Sequence, residues 1–349
     1  MRGRYWLAIV LCCAPLYASQ NEEQNRALAE AEQVAQQHPQ SAEAQNALGE
    51  ALDEVRRFDA ARESFERAIQ LKASYGQAYL NLGLVLLQLN APEKAALNLD
   101  QAIKLLGSTP EAGYAWYLRA KIYTTRENYD DALHALDKAV ALRPDLAEAW
   151  SDLGETRKAK LDDRGALAAF KKAVALEPND PVAQYRLGAE YLREDNAALA
   201  AGHLQIAYKR NPQDQSVLNA LQSALRKQGK TAQADQIRAQ LAKVLRDRDQ
   251  AMQNAVTAVR LNDEGASLEK KGNLPAALEK YRQASQLYPD HVGIRVNYAI
   301  ALLRLGHWTD GLNELHEALR RDPGNAKIRL ALKDALSQAP PALIPKWSD

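Results

Sequence analysis

The apolar positions of this chain repeat. Leu48-Gly49 returns as Leu82-Gly83 and Leu153-Gly154 as Leu187-Gly188, each pair 34 residues apart, and Trp116 and Trp150 keep the same interval. Small residues follow it too: Ala61 matches Ala95, and Ala132, Ala166, Ala200 and Ala234 form a longer series. Pro144, Pro178 and Pro212 stand on this period, as do Pro289 and Pro323. The stretches between are rich in Glu, Lys, Gln and Arg, all good helix formers. A fixed interval of this length, with prolines that close helices, predicts stacked helical hairpins.

Each recurring slot has a physical reason. Gly154 and Gly188 fall inside a helix, where glycine costs roughly 1 kcal/mol relative to alanine, so two helices must approach there too closely for a larger side chain. Ala166 and Ala200 permit the same approach from the second helix. Phe170 and Tyr281 fill the space between a hairpin and its neighbour, while Pro178 and Pro212 end the second helix. One hairpin cannot bury its apolar stripe alone, so such arrays need about three or more units.

Trp150, Leu153, Gly154, Ala166, Phe170, Ala173 and Pro178 together resemble the tetratricopeptide repeat family. The resemblance implies an all-α fold, a right-handed α-solenoid of about eight helix-turn-helix repeats with terminal capping helices. Counted from the anchors, the hairpins fall at 42–75, 76–109, 113–146, 147–180, 181–214, 215–248, 258–291 and 292–325. In the sixth, Gln222 stands where Gly is usual and Arg238 where an aromatic is usual, which predicts a looser hairpin. The third replaces Leu-Gly with Arg119-Ala120, a tolerated small substitute.

Upstream, Ala27, Ala31, Val34 and Pro39 fit the second helix of a preceding repeat, which predicts a lone capping helix from about 21 to 38 within an N-terminal segment 19–41. The matching cap is Ala326 to Gln338, with Ile328, Leu330, Leu332 and Leu336 as its apolar contacts, and Ala339 to Asp349 is expected to be a flexible tail. Two insertions break the period. Leu105 to Glu111 holds three extra residues and reads as a longer loop. From Lys230 to Glu264 there is neither Gly nor Pro, which predicts one long helix from about Thr231 to Leu245 or beyond, with Lys271 as its farthest end. Its stripe, Ala234, Ile237, Leu241, Val244, Leu245, Met252, Val256 and Val259, is interrupted from Arg246 to Gln250. Two readings stand: an extended second helix packed on its own solenoid, or a self-association helix.

The first residues differ from the rest. Arg2 and Arg4 precede the apolar run Tyr5 to Cys13, and Ala14, Ala18 and Ser19 follow, the order of a secretory signal peptide with cleavage after about Ala18. That run is too short for the roughly 20 residues of a permanent span. Cys12 and Cys13 are the only cysteines, so the mature chain would hold no thiol, and loss of Arg2 and Arg4 would turn the formal charge from +1 to −1. Leu11 before Cys12 fits a lipoprotein signal poorly. The expected setting is periplasmic or secreted.

Neither balance nor motif points to chemistry. A net charge of +1, with acids and bases interspersed, offers no footprint for nucleic acid. The sequence carries no phosphate-binding glycine loop, serine-hydrolase elbow, dinucleotide turn, calcium loop or Asn-x-Ser/Thr acceptor. His316-Glu317 begins like a zinc-protease helix, but Arg320 occupies the place of the second histidine. His38, His134, His203, His291 and His307 are scattered. Asp130-Asp131 and Asp162-Asp163 sit at hairpin turns, where Asp can start a helix. The chain therefore reads as non-enzymatic, with no cofactor and no metal.

In the family it resembles, first helices line a concave groove that binds extended or helical peptides. That implies a partner-binding face made of Leu80, Leu84 and Leu87 in the second hairpin, Tyr114, Tyr117 and Lys121 in the third, and Tyr185, Leu192 and Arg193 in the fifth. The first hairpin offers an acidic end, Glu43, Asn46, Glu50 and Asp53, and the fourth adds Glu148, Asp152 and Glu155. Chaperone-binding relatives clamp a terminal carboxylate with Lys and Asn at the start of the array; this chain departs from that pattern, so that ligand is not expected. The leading expectation is an exported scaffold that holds a protein or peptide segment in its groove. The alternatives are an assembly subunit of an envelope complex, self-associating through the 231–260 helix, and, by family analogy alone, a regulatory module of an envelope enzyme such as a glycosyltransferase.

Overall fold

The computed structural model describes residues 23–340. The segment expected to be an export signal, with Cys12 and Cys13, and all but the first two residues of the tail lie outside the described residues. Within them every regular element is a helix. α1 spans 23–37. Five hairpins follow: α2 (Ala42–Glu54) with α3 (Phe58–Leu71), α4 (Gly76–Gln88) with α5 (Pro92–Leu106), α6 (Pro110–Thr125) with α7 (Tyr129–Leu142), α8 (Ala147–Ala159) with α9 (Asp163–Leu176), and α10 (Pro181–Arg193) with α11 (Ala197–Arg210). Then come α12 (Gln215–Lys227), α13 (Thr231–Lys270), α14 (Leu274–Leu287), α15 (Val292–Arg304), α16 (Trp308–Arg321) and α17 (Ala326–Gln338). Contacts divide these into two compact units, one ending at Ala234 and one beginning at Asp235.

In the first unit, side chains punctuate the helices as the sequence requires. Ser41, Asn128, Asp162, Asp180 and Asp214 each accept a backbone N–H in the first turn of the helix that follows. Such caps are worth about 1 kcal/mol apiece. Asp130 and Asp131 therefore act within the first turn of α7 rather than as its cap, which is Asn128. Each reversal inside a hairpin uses one residue of left-handed backbone: Arg56, Asn90, Glu127, Leu161 and Asp195, with φ between 56° and 63°.

The three inserted residues do not make a longer loop. They extend α6 by a turn at its start, with Thr109 accepting from the Ala112 N–H at 3.3 Å and Pro110 at the first helical position, where its missing N–H costs nothing.

What holds each hairpin closed is the fit of a small residue on the first helix to a large one sixteen positions later. A Cβ built on Gly49 would stand 2.5 Å from Cε1 of Phe65, and one on Gly154 2.4 Å from Cε1 of Phe170. On Gly83 and Gly188 it would meet Leu99 and Leu204, each at 2.7 Å. Phe65, Phe170, Leu99 and Leu204 are all essentially inaccessible to solvent. Ala120 takes the glycine place in α6, with Leu136 in the partner place. α1 adds Leu28 to this core and also buries Ala35. The slots expected from the repeat frame are offset by one, since Ala27 and Val34 are exposed.

Between α10 and α11, His203 Nδ1 lies 2.7 Å from Gln184 Oε1, and its ring stacks on Tyr191 at 5.5 Å. Gln184 donates its amide N–H to the Pro178 carbonyl at 2.7 Å, so its oxygen faces the histidine and Nδ1 must donate. Burial pushes the His203 pKa down. A depressed folded-state pKa gives stability that is present above about pH 6.5, the unfolded value, and lost as pH falls through the folded one. Chemical unfolding of the wild type and of His203→Gln should therefore agree at pH 8 apart from a constant offset and converge on acidification. A constant offset down to pH 4.5 would sink this assignment.

In the second unit the C-terminal half of α13 packs on α14. Gly265 stands against Tyr281, whose ring lies 2.8 Å from the Cβ position, and Tyr281 Oη donates to Glu269 Oε2 at 2.9 Å. Burial first, then this carboxylate, pushes the Tyr281 phenol up to about 12. α15 and α16 close around Ala299, Leu312 and Leu315, and α17 covers them with Leu332 and Ala335 while Leu330 points to solvent. α13 is continuous over 40 residues, about 60 Å at 1.5 Å per residue. Met252, Val256 and Val259 on it are exposed. Arg238, at the usual aromatic position of the sixth repeat, is exposed as well.

Candidate functional site

In the first unit, α4, α6, α8 and α10 share a face that carries three adjoining cavities. Helical spacing builds it: Leu84 and Leu87 lie one turn apart on α4, Tyr114, Tyr117 and Lys121 run along one stripe of α6, and Glu148, Asp152 and Glu155 along one stripe of α8. The first cavity, of about 520 Å³, takes its floor from Leu84, Leu87, Tyr114 and Tyr117 and its rim from Lys121 and Glu148. The second, about 330 Å³, shares Tyr117, Lys121 and Glu148 and adds Asp152, Glu177 and Arg186. The third, about 430 Å³, continues from Lys121, Asp152 and Arg186 to Thr125 and Glu155.

The aromatic pair is held in place. Tyr114 and Tyr117 have ring centroids 5.9 Å apart, Arg143 lies over the Tyr114 ring at 5.4 Å, and Lys121 Nζ over the Tyr117 ring at 5.6 Å. Tyr117 is 8% exposed. Burial raises both phenols above the ordinary tyrosine value, that of Tyr117 strongly, helped by the negative charges of Asp152 and Glu148 at Tyr117 and of Glu148 at Tyr114. Both are neutral hydrogen-bonding tips on apolar rings at any physiological pH.

Five of the side chains singled out from the sequence meet here: Leu84, Leu87, Tyr114, Tyr117 and Lys121. Leu80 does not. At 4% exposure it belongs to the core, although it stands one turn before Leu84 on the same stripe of α4. Tyr185 and Leu192 are half-buried on α10 and line none of the three cavities. Arg193 is committed to Asp163 at 2.5 Å and to Glu190, and these hydrogen bonds raise its pKa, that to Asp163 most. Glu190 itself is 1% exposed in a slot where α4 and α6 carry Val85 and Ile122.

The acidic end expected in the first hairpin is largely spent. Glu43 pairs with Lys72 at 2.8 Å. Glu50 accepts from Asn46 at 3.0 Å and from Asn81 at 2.8 Å, and Asn81 also donates to Asn46 Oδ1 at 3.1 Å. Asp53 keeps its carboxylate without an ion pair among the described residues, and burial raises its pKa.

Sequence reasoning passed over Arg186. It reaches from α10 to α8, with Nη1 at 2.5 Å from Ser151 Oγ and 3.3 Å from Asp152 Oδ1, and Nε at 3.5 Å from Glu155 Oε1. The signal was available, since Asp152 and Arg186 stand one repeat period apart and so occupy the same slot of successive first helices.

Neither histidine nor cysteine lines the three cavities. Among the described residues no cluster of His, Cys, Asp and Glu could hold a metal ion, and no helix is long and apolar enough to cross a membrane. A stack of helix pairs with a cavity-lined face built from the first helix of each pair defines a helical-repeat interaction scaffold.

The chain belongs to the tetratricopeptide repeat family. Family models of that description match residues 16–75, 51–107, 80–147 and 117–181, and residues 268–332. Curated relatives include the BBSome complex member BBS4 homolog of Drosophila melanogaster, 23% identical over 52% of this chain and 37% of that protein. Another is the protein O-mannosyl-transferase TMTC1 of Homo sapiens, 27% identical over 42% of this chain and 17% of that protein. The chain thus matches well under half the length of either. Among solved structures, YrrB, described as a repeat protein of this family with an unusual peptide-binding site, is 21% identical with a TM-score of 0.45, covering 54% of this chain and 96% of its own. PilF of Pseudomonas aeruginosa is 17% identical with a TM-score of 0.47, covering 74% and 94%.

Proposed function

We propose that this protein is a non-enzymatic scaffold that holds a segment of a partner protein against the face built by α4, α6, α8 and α10. The observation that carries the reading is the convergence of Leu84, Leu87, Tyr114, Tyr117 and Lys121, from two successive first helices, on one open cavity. Rings with a polar tip and an apolar floor suit a peptide, because the side chains find burial while the backbone finds hydrogen-bond partners. Its proposed setting is the periplasm or the cell exterior, on the order of charge, apolar run and small residues in the first nineteen positions. Mass spectrometry of the exported protein should find Ser19 as its first residue.

Peptides selected from a random display library on the full chain provide the test. Tyr114→Ala combined with Leu87→Glu should weaken their binding at least tenfold, about 1.4 kcal/mol, while the far-ultraviolet circular dichroism is unchanged. Selected peptides that bind the double variant as well as the wild type would end the reading.

A second reading is favoured by one observation: Met252, Val256 and Val259 form an exposed apolar stripe on one side of α13. It supports assembly of copies through that helix. Light scattering should then give a multiple of the chain mass that Val256→Asp reduces to one copy. A monomeric wild type would remove this alternative.

A further inference from the structure

The face is not uniform. Its apolar end lies between α4 and α6, and its other end, between α6, α8 and α10, is acidic. The two cavities there are lined by Glu148, Asp152, Glu155, Glu177 and Asp180 against only Lys121 and Arg186. This excess is local, since the whole chain carries a formal charge of only +1.

Nor do the two cations cancel it. The Arg186 guanidinium is already shared among Ser151, Asp152 and Glu155. Lys121 lies over the Tyr117 ring. Asp180 caps α10, where it accepts from the Ala183 N–H at 2.6 Å, and makes no ion pair among the described residues. Glu148 and Glu177 make no ion pair among the described residues. Glu148 also borders the apolar cavity, so negative charge continues from one end of the face into the other.

We infer that the segment held here, on the reading proposed above, is basic: an extended stretch in which a large apolar side chain enters the cavity of Leu84, Leu87, Tyr114 and Tyr117 and a lysine or arginine a few residues away meets Glu148 and Glu177. Neighbouring helices pack about 8–10 Å apart and an extended chain advances about 3.3 Å per residue, so the two anchors stand about three residues apart. Burying an acidic side chain beside these carboxylates would add like-charge repulsion, so the same charges select against acidic segments.

The test uses the full chain and three series of synthetic twelve-residue peptides. All share their apolar residues and differ only in carrying Lys, Gln or Glu at the other positions. The Lys series should bind at least tenfold more tightly than the Glu series at low ionic strength. That ratio should shrink several-fold at 1 M salt, where screening acts over about 3 Å. Glu148→Gln with Glu177→Gln should weaken the Lys series severalfold and leave the Gln series unchanged. If the Glu or Gln series binds as tightly as the Lys series and still depends on Tyr114, the face binds peptide and the inferred charge preference is overturned. If every series binds without regard to Tyr114→Ala, or none binds, the underlying reading of the face fails and the inference with it.

Discussion

Phe170→Ala is expected to cost about 3–5 kcal/mol, the range for emptying a fully buried aromatic site. The ring is wholly inaccessible and lies against α8 at Gly154. Because Gly154 has no side chain, nothing on the facing helix can swing into the space the ring leaves. The adjoining residues Ala166, Ala169 and Ala173 of α9 are also too short to fill it. The loss should be local at first, since hairpins of a repeat array contact mainly their neighbours. Amide hydrogen exchange should accelerate most in α8 and α9, then in α7 and α10. Leu161→Ala provides the control: that side chain is 85% exposed, and removing it should change stability by no more than about 0.5 kcal/mol. If Phe170→Ala and Leu161→Ala shift the denaturant midpoint equally, the ring does not hold the hairpin together.

The helix pairs were legible because their signals are local and repeated. A glycine inside a helix, a large residue sixteen positions later and a proline after the second helix each report one contact. Successive copies correct one another. Legibility failed where the frame was extended past its evidence in the chain. The insertion after Leu105 carries Gly and Pro, which read as a loop, yet Pro110 is also a good first residue for a helix and Thr109 a good cap. The structure uses them that way. At the N-terminus, where no glycine or aromatic fixes the frame, counting back from the first hairpin misplaced the buried face by one residue, onto Ala27 and Val34 instead of Leu28 and Ala35.

The candidate site was legible to the extent that first-helix positions are equivalent between hairpins. Equivalence by slot does not decide which side chains remain uncovered. Leu80 and Tyr117 occupy the same slot of α4 and α6, yet Leu80 is absorbed into the core while the longer tyrosine reaches the cavity even though its ring is mostly buried. Ion pairs between successive repeats carry their own spacing. Arg126 with Glu93, Arg186 with Asp152, and Lys227 with Asp195 lie 33, 34 and 32 residues apart. Such pairs are readable as opposite charges one period apart, and reading them first would have separated carboxylates already engaged, such as Asp152 with Arg186, from those that make no ion pair among the described residues, such as Glu148.

The second large effect is a difference between two glycines that the sequence alone makes equivalent. Gly154→Ala should cost about 2–3 kcal/mol, since overpacking a tight core outweighs the roughly 1 kcal/mol that alanine gains in a helix. Gly188→Ala should stay within about 1 kcal/mol of the wild type on the same two opposing terms. The reason lies in the partner. At Gly154 a new Cβ would meet three atoms of a rigid ring at 2.4, 2.5 and 2.8 Å. At Gly188 it would meet Cγ of Leu204 at 2.7 Å, on a side chain that can move by rotating about its own bonds, and the Ala200 carbonyl oxygen at 3.2 Å, which needs to give by only a few tenths of an ångström. The chain already contains the outcome: where the partner place holds Leu136 or Leu315, alanine stands in the glycine place as Ala120 or Ala299, and both alanines are buried in closed hairpins. Where the partner is Phe65, Phe170 or Tyr281, the residue is glycine every time: Gly49, Gly154 and Gly265. Adding Phe170→Leu to Gly154→Ala should therefore recover stability relative to Gly154→Ala alone, although the same leucine exchange in the wild type is destabilising. Denaturant unfolding of the four proteins gives the coupling, expected at about 1–2 kcal/mol for residues in direct contact. Additive losses would mean that α8 and α9 separate to admit the methyl group, and the closeness of the two helices would then be a consequence of the glycine, not the reason for it.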